Sequence, residues 1–185
     1  MALLKEETNY LPSYSYEDYK HWEGDWELID GIAYAMSPAP VKRHQMLSLQ
    51  IGSELLRKLS DCPECEVLID SDWKLNSTNI LKPDVSIVCN DKNIKYISKT
   101  PEVIFEVISP STAKKDEELK YSIYASEGVK YYILIYPNEL VAKVYKNYDF
   151  VFKKLGEFDS ESIEFIDTKC DFSFSFDAIF ERFRG

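Results

Sequence analysis

Residues 101–112 read PEVIFEVISPST. From Val103 to Ile108 every residue but Glu106 is apolar, which is the pattern of a strand covered on both faces. A lone carboxylate is costly to bury there, so Glu106 must be protonated, paired with a cation or bound to a metal. SPST then turns the chain into TAKKDEELKYSIYASEG (112–128), a helix capped by Ser111 or Thr112 and stopped at Gly128. VKYYILIYP (129–137) is a further buried strand.

Working outward, SYSYEDYKHWEG (13–24) reads as a short helix with Ser15 as N-cap. In WELIDGIAYAM (26–36), Asp30-Gly31 separates two apolar runs and marks a hairpin, because a type I′ turn needs positive φ at both central positions. SPAP (37–40) is a loop. In RHQMLSLQIGSELLRKLS (43–60), apolar residues at 47, 51, 55 and 59 share one helical face. CEVLIDSDWKLN (65–76) and LKPDVSIVCN (81–90) each read as a strand, with Pro83 at a strand start or edge. A hairpin is expected around Lys146–Tyr148, and FSFDAIFERF (174–183) as a short helix. The order of elements predicts a mixed α/β fold, a mixed β-sheet flanked by helices, in a single domain over 1–185.

Composition excludes several classes. Hydrophobic residues make up 45 % of the 185, enough for a packed core. The apolar runs are too short to span a membrane, and MALLKEETNY (1–10) has no signal-peptide pattern, so a cytoplasmic protein is expected. A net charge of −10 argues against indiscriminate binding to nucleic acid, although VKRH (41–44) and Lys114–Lys115 concentrate positive charge locally. With two histidines and no G-x-S-x-G, a nucleophile triad has little support, and there is no phosphate-binding G-x-x-x-x-G-K-[ST] loop. Cys62 and Cys65 form C-x-x-C in DCPEC (61–65), half of a metal site at most; the expectation is reduced thiols in a loop.

The chemistry gathers around Asp84 and Glu106, on successive predicted strands that are expected to be close in space. Two such carboxylates are hard oxygen donors suited to Mg2+ or Mn2+, and a divalent ion would offset the cost of burying Glu106. Asp116, Lys120 and Tyr124 stand at i, i+4 and i+8 on one helical stripe. A lysine aimed from that stripe could stabilise charge at the reacting phosphate. An Asp–Lys pair on the surface explains the same spacing. With no core role expected for Lys120, the catalytic reading predicts that Lys120→Ala leaves the fold intact but removes activity.

With ELIDGIAYAMSPAP and KRHQ (27–45), KPDVSIV (82–88), PEVIFEVISPST and KDEELKYSIYASEGVKYYILIYP (115–137) in this order, the chain resembles the Uma branch of the PD-(D/E)xK restriction-endonuclease-like superfamily. The resemblance implies a restriction-endonuclease-like core and a Mg2+- or Mn2+-dependent endonuclease acting on DNA, working as a homodimer. Asp84 matches the aspartate of the PD half and Glu106 the acid of the (D/E)xK half. The lysine expected two residues after that acid is replaced by Ile108, and its role passes to Lys120 on the next helix. The Ile108 carbonyl is the implied third metal ligand. His44 matches a position common in this branch, where it binds phosphate, orients water or contacts the metal; a histidine that caps or packs its helix is the alternative. Asp116 is expected to hold Lys120. The competing reading of the whole chain is a binding module that keeps the fold without the catalysis.

Overall fold

The structure, a computed structural model, describes residues 12–36 and 41–184. SPAP (37–40) and MALLKEETNY (1–10) lie outside the described residues. The chain runs α1 (Tyr16–Tyr19), β1 (Trp26–Ile29), β2 (Ile32–Ala35), α2 (Lys42–Lys58), β3 (Cys65–Ile69), β4 (Trp73–Lys74), β5 (Ile80–Leu81), β6 (Val85–Cys89) and β7 (Val103–Val107). It continues through α3, π-helical over Lys115–Lys120 and α-helical over Tyr121–Ser126, then β8 (Tyr131–Tyr136), β9 (Val141–Tyr148), β10 (Val151–Phe158), β11 (Ser162–Phe165), β12 (Phe172–Ser175) and α4 (Asp177–Phe180).

A six-stranded sheet in the order β10-β9-β8-β7-β6-β3 forms the centre, with β1, β2, β4 and β5 in a second sheet and β11-β12 as a separate pair. Only β7 and β8 run parallel in the large sheet, and α3 is the crossover between them. The mixed sheet flanked by helices is thus as the residue pattern predicts. All five residues of β7 are buried, because both faces of its sheet are covered. Val103, Phe105 and Val107 meet Leu47, Ile51 and Leu55 of α2 and the aromatic side chains of β11, β12 and α4. Ile104 faces the other side, with Trp73, Tyr124 of α3 and Tyr132 of β8. The period-2 alternation of a strand puts Glu106 on the Ile104 face, toward α3.

Local signals explain most boundaries. Ser15 begins α1, and both its N–H and its Oγ donate to the Asp18 carboxylate, at 2.8 and 2.9 Å. Asp30 and Gly31 have φ of 50° and 75°, the left-handed pair of a tight hairpin. Three expectations are corrected. The stretch 65–76 is two strands, broken at Asp70, whose φ is 56°. The stretch 81–90 is divided between two sheets, β5 and β6, with Pro83 and Asp84 at the crossing where no ladder bond is asked of proline. The second hairpin turns at Asp149–Phe150, with φ of 52° and 66°, and not at 146–148; no glycine marks it.

The cysteines are also corrected. They are not free thiols in a loop: Cys62 bonds Cys170 and Cys65 bonds Cys89. The second pair faces directly across the β3–β6 ladder. Among the described residues no helix is long and apolar enough to cross a membrane.

Ile51 is fully buried in the middle of α2, under the sheet. Ile51→Ala is expected to cost about 2–5 kcal/mol, the range for emptying an aliphatic core position, read as a lower urea midpoint with an unchanged m-value.

Candidate active site

The site forms where β7 ends and β6 begins. Val85 pairs with Phe105, and the same register continued by one residue sets Asp84 opposite Glu106. Directly opposed residues bring their Cβ atoms within about 5 Å. Asp84 Oδ2 accepts the Val107 N–H at 2.6 Å, which fixes its carboxylate against the strand end. Glu106 Oε2 faces the Asp84 N–H at 3.4 Å, and Oε1 accepts hydrogen bonds from Lys120 Nζ at 3.0 Å and the Tyr124 hydroxyl at 2.9 Å.

Lys120 closes the π-helical turn of α3. Such turns widen a helix by one residue and recur at functional sites. Nζ lies 2.8 Å from Glu27 Oε1, 3.0 Å from Glu106 Oε1 and 3.4 Å from Asp116 Oδ1. Its side chain is 2 % exposed. This corrects the reading of Lys120 as one half of a surface pair: the amine is the hub of a buried acid cluster. Asp116 lies beside it as expected, yet Asp116 Oδ1 is buried without a hydrogen bond.

His44 sits in the first turn of α2 and brings Nε2 to 3.1 Å from Asp84 Oδ2. Arg43 turns elsewhere, over the Phe183 ring. Glu54, further along α2, is taken up by Arg57 and Lys58. Ile108 donates its N–H to the Ile135 carbonyl at 2.8 Å. Its side chain packs against the same apolar cluster as Leu119 and Ile123, while Val107 and Ser109 line the cleft. Above the acids the cleft has a volume of about 730 Å3, lined also by His44, Asp70, Lys114 and Thr112.

Glu27 is the residue the sequence reading missed. It is fully buried in β1, and Oε1 also accepts the Lys82 N–H at 2.9 Å while Oε2 pairs with Lys115. The signal was available: WELI (26–29) places one acid in a strand whose neighbours Leu28 and Ile29 are buried, the same anomaly as Glu106. Asp70, exposed at the break between β3 and β4, lines the same cleft and gave no such signal.

The electrostatics separate the two buried glutamates. Burial pushes both upward. For Glu27 the Lys120 and Lys115 ammonium groups win, and its carboxyl lies below the ordinary value. For Glu106 burial, with Asp84 and Asp116 adding to it, outweighs Lys120 and lifts it well above. Burial likewise raises Asp116 and Asp70. Burial pulls Lys120 down, but Glu106 and Glu27 outweigh it and hold its pKa well above the ordinary lysine value. Burial pulls His44 down, and its bond to Asp84 more than restores it.

Comparison with known proteins fits this geometry. The fold is that of a nuclease-like α/β domain. It matches the crystal structure of a protein from Anabaena variabilis, titled a putative nuclease belonging to DUF820, with a TM-score of 0.70 at 14 % identity, over 89 % of this chain and 96 % of that one. The family model described as "Uma2: Putative restriction endonuclease" matches residues 16–149, and the chain belongs to that family. An uncharacterised protein of Synechocystis sp., slr1290, is 30 % identical over 149 residues, covering 75 % of this chain and 77 % of that one. A stretch of 131 residues is 26 % identical to non-reducing polyketide synthase 1 of Elsinoe fawcettii, 68 % of this chain but 6 % of the synthase.

The two ends of the Lys120–Glu106 pair are not equivalent. Lys120→Met strands Glu27, Glu106 and Asp116 around an apolar side chain and is expected to cost about 3–5 kcal/mol. Glu106→Gln leaves Lys120 with Glu27 and Asp116, so the metal-free variant should be at least as stable as the parent at neutral pH. Because the folded pKa of Glu106 is raised, its contribution is full below the unfolded value and is lost as pH rises through the folded one. The glutamine lacks that loss, so its stability relative to the parent should rise with pH in urea titrations. A glutamine variant that unfolds as readily as Lys120→Met would contradict the assignment.

Proposed function

We propose that the protein is a Mg2+- or Mn2+-dependent endonuclease that hydrolyses phosphodiester bonds in DNA. One observation carries the reading. Asp84, Glu106, Lys120 and His44 come from four separate elements and meet at the floor of one cleft. The named nuclease neighbour and the restriction-endonuclease family support the same class.

The donor set fits a hard cation. Asp84 and Glu106 offer carboxylate oxygens, Asp116 Oδ1 is a buried oxygen without a hydrogen bond, and burial, with Asp84 and Asp116 adding to it, raises the Glu106 carboxyl despite Lys120. Asp84 and Glu106, with the Ile108 carbonyl, would hold the ion. Bound there, it supplies Lewis-acid polarisation of the phosphodiester and a more acidic water.

The chain's own residues do the rest. Lys120 keeps its proton because two carboxylates hold it, so it acts as a fixed cation beside the attacking water and the charge developing on phosphorus, not as a base. Tyr124 and Lys120 together fix the Glu106 carboxylate. His44, kept protonated to higher pH by Asp84, is placed to contact a phosphate oxygen or to orient water. Lys114 lines the same cleft and would meet the DNA backbone despite the overall acidity. A homodimer would present two such clefts to a duplex.

Manganese soaked into crystals is the test that needs no knowledge of the preferred DNA. An anomalous peak between Asp84 and Glu106, lost in Asp84→Ala together with Mg2+-dependent cleavage of plasmid DNA, is the expected outcome. No peak at saturating manganese, and no metal binding by calorimetry, would favour an inactive binding module on this fold.

A further inference from the structure

The sequence offers half of a metal site in DCPEC and two lone cysteines elsewhere. The fold brings three of them together and sets the fourth, Cys89, against Cys65. Cys62 follows α2, Cys65 opens β3, Cys89 ends β6 and Cys170 precedes β12. The sulfurs of Cys62, Cys65 and Cys170 lie within 4.8 Å of one another, and that of Cys89 is bonded to Cys65. The pairs are 108 and 24 residues apart in the chain, so only the tertiary structure makes the cluster.

Hydrogen bonds independent of the sulfurs hold this geometry. The Cys62–Cys65 turn is closed by the Cys65 N–H on the Cys62 carbonyl at 3.2 Å. The Cys62 N–H donates to Leu59 at 2.9 Å, and Asn90, next to Cys89, donates to the Glu64 carbonyl at 2.7 Å. Cys62 and Cys89 are buried, and Cys65 and Cys170 pack against the same core. Reduction of the two disulfides therefore leaves the Cys62, Cys65 and Cys170 thiols grouped, with the Cys89 thiol across the ladder from Cys65.

Four converging sulfurs, two of them in a C-x-x-C turn, form the donor set of a structural zinc site. Zn–S bonds of about 2.3 Å in a tetrahedron need sulfurs about 3.8 Å apart. Three of the sulfurs already lie within 4.8 Å of one another, and Cys89 stands directly across the ladder from Cys65, so side-chain rotation after each S–S bond opens has to close about 1 Å among the three and turn the Cys89 thiol toward them. Where thiols are kept reduced, such a set binds metal; where the surroundings oxidise, it pairs as disulfides.

We propose that Cys62, Cys65, Cys89 and Cys170 bind one zinc ion as a tetrathiolate when the protein is reduced. A dithiol reductant supplies four electrons and four protons to the two disulfides, giving four thiols while two reductant molecules become disulfides. Zinc then displaces four protons and binds four thiolates. The ion clamps the end of α2, strands β3 and β6 and the loop before β12. It sits at the opposite end of β6 from Asp84, about 16 Å along the strand, so it is separate from the carboxylate site.

The test uses the full chain purified under phosphine reductant without chelator. The expected result is one equivalent of zinc by elemental analysis. Cobalt in its place should give the intense thiolate-to-cobalt absorption that carboxylates do not produce. Cys89→Ser and Cys170→Ser should each lose the metal, whereas Asp84→Ala should keep it. Chelation of the reduced chain should lower Tm by roughly 10 °C. If a serine variant fails to fold, the cobalt spectrum of the parent chain still decides the ligands. Four titratable thiols with neither zinc nor the cobalt–thiolate band would overturn the proposal and leave the disulfides as the whole role of the cluster. Zinc retained by both serine variants would overturn it equally.

Discussion

Among the described residues, the Lys120 ammonium is the one positive charge that meets Glu27, Glu106 and Asp116 together. Each of these acids comes from a different part of the chain: β1, β7 and the first turn of α3. None could be buried ionised without a cation, since an unpaired buried charge costs several kcal/mol. The amine therefore joins the small sheet, the central sheet and the crossover helix through one atom. Its own burial is tolerable only because the acids surround it. The dependence is unequal: removing the amine takes a partner from three acids, whereas removing Glu106 leaves the amine with Glu27 and Asp116.

The topology makes this meeting possible. The only parallel step in the central sheet is β7 to β8, and its crossover helix must pack back over the strands it connects. Glu106 points to that helix because it shares a face with Ile104. The position on the same face, two residues on, holds Ile108, which packs against the same apolar cluster as Leu119 and Ile123 of the helix. An amine there would have to enter that apolar layer. Delivering it from the helix above leaves the strand end apolar and brings the charge in from the opposite side. The π-helical turn over Lys115–Lys120 accommodates both Lys115 and Lys120 against Glu27.

Much of this was legible in the sequence, and the failures have physical reasons. The face of α2 at 47, 51 and 55, the buried β7 and β8 and the Asp30–Gly31 turn all follow from periodicity and turn chemistry, and the structure has them. The break at Asp70 was hidden because no glycine or proline marks it, and aspartate can take a left-handed conformation with little local warning. Spacing alone put Lys120 on a stripe but could not say whether that stripe faced water. Burial is a property of what packs over the helix. Glu27 was missed although it carried the same signal as Glu106, an acid within a buried strand. The cysteine pairing depends on contacts across 108 and 24 residues, which no local pattern encodes.

The two glutamates around Lys120 divide its charge unequally, and that inequality bears on function. Glu27 accepts from two lysines and a backbone N–H, so it is fully compensated and stays ionised. Glu106 shares one lysine with two other acids and stands opposite Asp84. Burial first, with Asp84 and Asp116 adding to it, outweighs Lys120 and lifts its carboxyl above the ordinary value. Under the proposed function a divalent ion would offset that burial, and Lys120 would still have Glu27 to hold it. Glu27 thus holds the amine in place whatever Glu106 does. A cluster built for stability alone gains nothing from leaving one acid under-compensated beneath a cleft; the proposed metal site would depend on it.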